Sequence, residues 1–408
     1  SLRKQVLFVL GTLAVFRVLS VIPIPGVDQG ALAQFLDSNQ FFGLLNIFSG
    51  GGLSTLSIVM LGVGPYITAS IIMQLLTMMS PKLKSMYQEE GAIGRKKFSQ
   101  YSRLLSVPLA FAQAFGFIVL LQRQGIVASL DTFALLTNVL VIVAGSVFLM
   151  WLGEVMTEFG IGNGLSMIIF AGIVAVVPQV ASQIFYAFQM EDLFTYIGLG
   201  ILALAMVYLV VYITEAERPI PVTYAKQVRG GKTYGGTSTY LPLRLNQAGV
   251  IPIIFALSLL LLPQMVLNML TYLQNPTISQ IAVFVNDLMK NQWFYAAAYF
   301  VMVFFFTFFY TAVTFDPKAI SDNLQKGGAF IPGVRPGEST EAYLGKVVTR
   351  ITLVGALFLA LVAVLPPVLN AITGISYLTI GGTGLLIVVS VVLDIVKKVD
   401  AQLSMREY

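Results

Sequence analysis

The chain has 408 residues, of which 57% are hydrophobic and only 11% are charged. Soluble domains usually carry about 25% charged residues, so this composition excludes a protein whose whole surface faces water. Cysteine and histidine are both absent. Their absence excludes disulfides, thiolate nucleophiles, imidazole acid–base catalysis and the common zinc sites. We therefore expect a membrane protein that is not an enzyme, with no catalytic residues, no metal site and no cofactor.

Apolar segments recur along the chain, and each approaches the roughly 20 residues that a membrane-spanning helix needs. Ten such segments lie near 5–22, 57–79, 104–122, 134–153, 164–186, 195–214, 247–270, 293–315, 346–366 and 375–396. Only helices and closed barrels satisfy every backbone polar group inside lipid, and long runs without alternating polarity are typical of helices. The predicted fold class is an all-α polytopic membrane protein with ten transmembrane helices.

Lysine and arginine are distributed unevenly between the connections. Twenty-one of the 24 lie on the side of the N-terminus, and only Arg123 and Lys290 lie in the opposite connections. Arg17 lies inside the first span near its outer end, where a long cationic side chain reaches the interface. The positive-inside rule then predicts cytoplasmic termini and an even number of spans. Two long inner loops, about 215–245 and 316–345, are expected to project beyond the bilayer.

Residues 41–79 form a mostly uncharged stretch that is too long for one span and too short for two. The run from Ser49 to Gly52 breaks any helix there, and Pro65 follows shortly afterwards. Irregular backbone at membrane depth is tolerated only inside the protein or along a water-filled cavity. Two interpretations stay open: a re-entrant element at about 45–56 inside a pore, or an outer loop packed on the helix ends.

Acidic residues are missing from the interiors of the predicted spans, since Glu154 and Asp394 lie at inner ends. Secondary transporters usually place ionisable groups near the midplane to couple ions or protons. The polar residues inside the spans are mainly neutral, and ordinary interhelical hydrogen bonds explain them equally well. A passive conduit is therefore favoured over the alternative, a small-solute secondary transporter.

Short motifs occur along the whole chain at Ile22 to Gly26, Phe48 to Gly51, Pro65 to Ile72, Gly91 to Tyr101, Trp151 to Glu154, Gly160 to Gly164, Leu241 to Asn246 with Ala248 to Pro252, Ala329 to Gly337, and Gly381 to Thr383. Together, in this order, they resemble the SecY/Sec61 alpha family of protein-translocation channels. The resemblance implies two five-helix halves of inverted topology, 1–190 and 191–408, around a central pore. It also implies a channel that conducts unfolded secretory polypeptides and releases transmembrane segments sideways into lipid.

The resemblance further implies three sets of residues that control the pore. An apolar ring at its waist comprises Val63, Ile67, Leu165, Ile169, Ile254 and Ile387. A plug at 46–56 closes the outer funnel and includes Asn46, Ile47, Phe48, Ser49, Gly50, Gly51, Gly52, Leu53 and Ser54. Spans 2 and 3 form a lateral gate against spans 7 and 8, with polar gate candidates Gln74 and Asn246. Flexible apolar side chains block ions by dewetting a constriction, although core packing alone explains any single one of them more simply.

The two inner loops resemble the docking site of the motor ATPase SecA and of ribosomes. Arg335 matches the family's key arginine, and Lys232 lies at a loop tip where Gly231 replaces one member of a basic pair. Basic loop tips suit ribosomal RNA electrostatically, whereas the alternative is that such cations only set topology. The resemblance also implies the small subunits SecE and SecG, signal sequences, nascent polypeptides and lipid as partners, in the bacterial cytoplasmic (inner) membrane.

Overall fold

A helix lies at each of the ten predicted spans in the computed structural model of this chain. The structure describes residues 2–38, 46, 49–88, 90–187, 190, 193–225, 227–229, 232–234, 238–249, 251–270, 276–373 and 378–407. Its helices are α1 (Leu2–Leu19), α2 (Gln29–Ser38), α3 (Gly64–Met79), α4 (Pro81–Gln88), α5 (Gly91–Arg123), α6 (Thr132–Phe159), α7 (Gly164–Ala187), α8 (Leu193–Glu215), α9 (Ile251–Leu270), α10 (Pro276–Lys290), α11 (Gln292–Thr314), α12 (Pro317–Lys326), α13 (Glu338–Thr373) and α14 (Leu378–Glu407).

The spans correspond to α1, α3, α5 to α9, α11, α13 and α14. Within the described ranges, α5, α6, α7, α8, α11 and α13 are long and apolar enough to cross a membrane, and α3 and the first part of α9 are shorter apolar helices. The all-α polytopic membrane fold predicted from the sequence is thereby confirmed.

Several helix ends differ from the sequence prediction. Helix α5 begins at Gly91 and not at 104, and α13 begins at Glu338 and not at 346. Hydropathy marks only the apolar part of a helix, whereas the charged residues before it continue the same helix. The helix of the second span begins at Gly64 and not at 57, since residues 58–63 form turns.

We describe the spanning helices as two groups in chain order, although α9 of the second group packs as closely on α5 of the first as on its own neighbour α11. Helices α1, α3, α5, α6 and α7 pack on one another, as do α9, α11, α13 and α14. Contacts between the groups run from α9 to α3 and α5 on one side and from α14 to α7 on the other. Helix α8 packs on α14. Only 11% of its most apolar 18-residue stretch is buried inside the protein. One apolar core cluster extends through both groups.

Short strands join the two long inner loops. They are β1 (Glu217–Tyr224), β2 (Gln227–Arg229), β3 (Lys232–Tyr234), β4 (Ser238–Arg244) and β5 (Ala329–Phe330). Strand β1 pairs antiparallel with β4 and with β5, so that Thr223 lies opposite Phe330. Ile220 and Val222 pack with Leu344 of α13 in a separate apolar cluster. We call β1 to β5 with α12 the inner unit; the sequence analysis predicted its loops but not their strands.

Candidate functional site

Residues 49–63, which we call the turn segment, connect to α3 through consecutive turns. Gly50, Gly51 and Gly62 adopt φ values of +70°, +79° and +56°, a region that favours glycine. The glycine run therefore breaks the helix, as expected from the sequence. Leu53 and Leu56 are completely buried, so the segment belongs to the protein core.

Of the predicted plug residues, Asn46 and Ser49 to Ser54 lie in the described part of the chain, and Ile47 and Phe48 lie outside it. The segment is closed on itself by hydrogen bonds. The backbone N–H of Leu53 donates to the Ser49 hydroxyl at 3.1 Å. The backbone N–H of Ser54 donates to the Asn46 side-chain oxygen at 2.7 Å. These bonds satisfy backbone groups that an apolar interior would otherwise leave unpaired.

Helix α1 holds the turn segment through three contacts, which we call the α1 clasp. The Arg17 Nη1 donates to the Gly50 carbonyl at 2.8 Å. The Phe16 ring lies so near Gly50 that a Cβ atom there would be 2.6 Å from Cζ. The Thr55 hydroxyl donates to the Ser20 carbonyl at 3.0 Å. The sequence assigned Arg17 only a reach to the interface and missed its contact with the glycine run.

The outer connection after α1 provides a second attachment. Pro23 pairs with Ser57 in an antiparallel bridge, and the backbone N–H of Ile24 donates to the Leu56 carbonyl at 2.9 Å. The motif from Ile22 to Gly26 thus binds the turn segment at Leu56 and Ser57.

Small residues of α6 and α7 make room for the turn segment. Gly145 of α6 lies against the Ile58 carbonyl, where a Cβ atom would overlap it. The neighbouring Ser146 hydroxyl donates to the Gly62 carbonyl at 3.0 Å. Gly172 of α7 lies against the glycine run. Since three helices surround the segment, its packing favours the re-entrant interpretation over a loop on the helix ends.

The predicted ring residues come from four parts of the bundle. Val63, Ile169, Ile254 and Ile387 are buried, and Ile67 and Leu165 are partly buried against the same cluster. This cluster also contains Leu53 and Leu56 of the turn segment. The ring residues therefore share one continuous apolar interior with the turn segment. Leu165 also packs against Gly153 of α6, with its Cδ2 2.8 Å from the position of a Cβ there.

The two predicted gate residues lie on different elements, and Asn246 lies near Gly355 of α13. Gln74 lies on α3, and Asn246 precedes α9. The side-chain oxygen of each is buried and has no hydrogen-bond partner among the described residues. The Asn246 amide nitrogen donates to the Gly249 carbonyl at 3.2 Å. Such unpaired buried oxygens are unusual, since most buried polar groups are hydrogen-bonded.

Glu154 and Asp394, the two acidic residues that the sequence placed at span ends, are each paired with a cation. Glu154 accepts from Arg103 Nε at 2.6 Å, linking α6 to α5. Asp394 accepts from Lys398 Nζ at 2.7 Å on α14. The sequence recognised both acids but not their partners.

Arg335 is exposed on the turn that follows β5. Gly333 and Gly337 on either side adopt φ values of +83° and +94°. The Arg335 carbonyl accepts from the Thr340 hydroxyl at 2.8 Å, and its side chain forms no ion pair with any described residue. Lys232 begins β3, with its backbone paired to Arg229. The structure thus presents Arg335 on a fixed turn of the inner unit.

These features define a class: a polytopic helical membrane protein with a buried, non-helical segment packed among its helices. A family model of SecY matches residues 57–396. The chain is 42% identical to the protein translocase subunit SecY of Streptomyces coelicolor, over 100% of this chain and 96% of the relative. It is 41% identical to that of Escherichia coli K12, over 100% of this chain and 93% of the relative. This chain belongs to the SecY family.

Solved structures share the fold. A structure described as a protein-conducting channel matches with a TM-score of 0.68 at 20% identity, over 98% of this chain and 92% of that one. A structure reporting that the SecY plug domain stabilises the closed state and maintains a membrane seal matches with a TM-score of 0.64 at 21% identity, with the same coverage. Sec61 in a canine ribosome–channel complex matches with a TM-score of 0.64 at 19% identity, over 98% and 92%.

Proposed function

We propose that this chain is the central subunit of a protein-translocation channel in the bacterial cytoplasmic membrane. It conducts unfolded secretory polypeptides across the membrane and releases transmembrane segments sideways into lipid. The observation that carries the proposal is the turn segment, a buried non-helical segment inside a helical bundle. Non-covalent contacts from α1, α6 and α7 hold it in place, so it is able to leave and return.

The seal is proposed to have two layers. Residues 46–56, which include the first part of the turn segment, close the outer funnel as a plug. Beneath it, Val63, Ile67, Leu165, Ile169, Ile254 and Ile387 form the apolar ring. A narrow apolar constriction excludes water and ions, yet its side chains yield to a passing chain. The burial of four of the six in the cluster that holds Leu53 and Leu56 supports this arrangement.

The two helix groups are proposed to be the inverted halves, 1–190 and 191–408, with a lateral gate at the seam between α9 and α3 with α5. Gln74 on α3 and Asn246 before α9 are the proposed polar residues of this gate, and the side-chain oxygen of each is buried and unpaired among the described residues. An unpaired buried polar group costs about 1–3 kcal/mol. Water or a polar backbone that enters the opening seam would recover part of this cost, so the gate is closed but not tightly so.

The inner unit is proposed to dock SecA and translating ribosomes, which supply the energy that this subunit does not generate. Arg335 is the main SecA contact, and Lys232 contributes to binding ribosomal RNA. SecE and SecG are the small membrane subunits, and signal sequences enter at the gate. The asymmetric distribution of lysine and arginine supports cytoplasmic termini.

The test is reconstitution of the chain with SecE, SecG and SecA in vesicles. We expect ATP to drive a preprotein into a protease-protected state, and we expect no protection without ATP. Vesicles with the Escherichia coli subunit serve as the positive control. Protection in the control vesicles but none in those with this chain would refute the proposal.

A further inference from the structure

Helix α10 (Pro276–Lys290) is not one of the spans; it lies between α9 and α11 in the chain and contacts both of them. Only Asn291 separates it from α11, and the Asn291 side chain accepts the backbone N–H groups of Trp293 and Phe294 as the N-cap of that helix. A one-residue connection spans only a few ångströms. Helix α10 is therefore held at the level where α11 enters the bilayer, at the boundary between lipid and water.

One face of α10 packs on the protein. Ala282 is buried, and three further residues are partly buried: Ile278, Val285 and Met289. These four positions recur three or four residues apart, so they lie on one side of the helix. Met289 packs against the main apolar core cluster. The helix is thus held against the bundle by this face, and the rest of its circumference points outward.

The outward side of α10 divides into two flanks. The first, which we call the apolar flank, comprises Ile281, Phe284 and Leu288, again three and four residues apart. Phe284 is 64% exposed and Ile281 is 48% exposed. The second, which we call the polar flank, comprises Gln280, Val283, Asp287 and Lys290, all exposed. A helix with a packed face, an apolar flank and a mainly polar flank suits the boundary between lipid and water.

The two tryptophans of the chain indicate where the membrane interfaces lie. Trp293 is exposed at the start of α11, and Trp151 is exposed in the inner third of α6. Tryptophan is enriched at both membrane–water interfaces. Trp293 therefore indicates the headgroup level three residues after α10 ends. Further along α11, Phe294, Val301 and Phe305 are exposed, so lipid-facing surface begins directly beyond α10.

We propose that α10 is an interfacial helix whose apolar flank inserts among the acyl chains of the outer leaflet while its polar flank faces water. Its level beside Trp293 favours a lipid surface over a partner protein as the occupant. Asp287 and Lys290 form an exposed ion pair on the polar flank, so insertion depends on apolar burial and not on headgroup charge. Because α10 contacts α9 and α11, it ties the outer ends of both helices to that leaflet. The choice of leaflet rests on the proposed orientation of the chain, whereas insertion rests on the faces of α10 alone.

The test measures tryptophan fluorescence of the full chain, with its partner subunits, in phospholipid vesicles. The background is W151F/W293F, which removes both tryptophans of the chain, and the emission of this background complex is subtracted. Single tryptophans are then introduced on the apolar flank by Ile281→Trp or Phe284→Trp. Matched variants introduce them on the polar flank by Gln280→Trp or Asp287→Trp. A melting curve shows that each variant is folded.

The quenchers are iodide in water and phospholipids brominated either near the headgroup or near the methyl end of the acyl chains. Headgroup-proximal bromines should cause the largest loss of emission in the apolar-flank variants, because interfacial helices insert only about 5–10 Å into the headgroup and acyl boundary. The polar-flank variants should lose emission mainly to iodide. Leu204→Trp is the depth control, since Leu204 is exposed near the middle of α8, and it should lose emission mainly to the deep bromines.

Quenching of Ile281→Trp and Phe284→Trp by iodide but not by brominated lipid would place the apolar flank in water and overturn the proposal. Emission that no quencher lowers would show that protein covers this flank, which also overturns it. Equal bromine quenching of both flanks would contradict the interfacial orientation, because it would show a helix submerged in lipid. The readout needs neither SecA nor ATP, so a failure of preprotein protection would refute the proposed function without changing this result.

Discussion

Arg17 is the charged residue within the first span that contacts the glycine run, and its guanidinium bonds a backbone carbonyl there at 2.8 Å. Hydrogen bonds to charged groups typically contribute about 1.5–3 kcal/mol, enough to hold the segment but not to fix it permanently. Gly50 allows the contact because its lack of a side chain admits the Phe16 ring. Arg17 and Gly50 belong to different elements, and no sequence pattern links the two positions. The sequence therefore identified the arginine but not the carbonyl that it binds.

Replacing Arg17 with glutamine should loosen the turn segment and raise the resting ion leak, because Gly50 loses its charged donor. The measurement is conductance of the reconstituted complex in planar bilayers without a substrate. Lys290→Gln is the control, since it makes the same charge change in an exposed pair with Asp287, and such pairs contribute little. Equal leak in both variants would argue against the α1 clasp.

Replacing Ile67 or Ile169 with glycine should also raise the resting leak, because each change removes apolar bulk from the proposed ring. Ile168→Gly is the matched control on α7, since Ile168 is completely buried but is not a ring residue. Single-channel recordings distinguish the positions. If Ile67→Gly and Ile169→Gly conduct no more than Ile168→Gly, these residues do not form the constriction.

Helix α6 shows how an element positions the turn segment. Its Gly145 and Ser146 lie where the segment crosses it, one giving space to the Ile58 carbonyl and the other bonding the Gly62 carbonyl. The long apolar run of α6 in the sequence indicates a spanning helix, but it does not show which small residue meets a neighbouring backbone. Which residue is in contact depends on where the turn segment crosses α6, and this position depends on the packing of both.

Gly145→Ala should destabilise the protein by about 1–3 kcal/mol, since the added methyl overlaps backbone that is already packed. Gly200→Ala in α8 is the control. No atom lies within 4 Å of its Cβ position, so helix propensity should make it neutral or slightly stabilising. Thermal unfolding in detergent compares the two. A Gly145→Ala variant as stable as wild type would contradict the packing described for this crossing.

A disulfide between Pro23→Cys and Ser57→Cys should tether the far end of the turn segment and slow transport until it is reduced. Partners in an antiparallel bridge are near enough for a disulfide, and the chain has no other cysteine. Val27→Cys with Val127→Cys is the control, because these residues form a similar bridge outside the segment. ATP-driven preprotein protection is measured with and without reductant. Full transport through the oxidised first pair would indicate that this end need not move.

Over the whole molecule, the inner unit converts two separate loops into one surface. Thr223 of the first loop pairs with Phe330 of the second, and the cluster containing Ile220 and Leu344 fixes both to α13. Arg335 therefore projects from a supported turn. The strands are short and rich in proline, so their alternation was too brief to predict a sheet from sequence.

Arg335→Glu should weaken SecA binding by about tenfold or more, as expected when a central interface arginine is lost. The affinity of the reconstituted complex for SecA is the measurement. Lys82→Glu is the control, since Lys82 is exposed on the same side, in α4 and away from the inner unit. Equal weakening by both variants would indicate general electrostatic attraction in place of a specific contact.

The sequence by itself determined the membrane class, the ten helices, the break before Pro65 and the family, because hydropathy, glycine and proline act locally and motifs are read in order. Tertiary structure alone decided that Arg17 binds Gly50, that Gly145 receives the Ile58 carbonyl and that β1 meets β5. Each of these contacts joins segments that are far apart in the chain, and their relative positions depend on how the whole bundle packs.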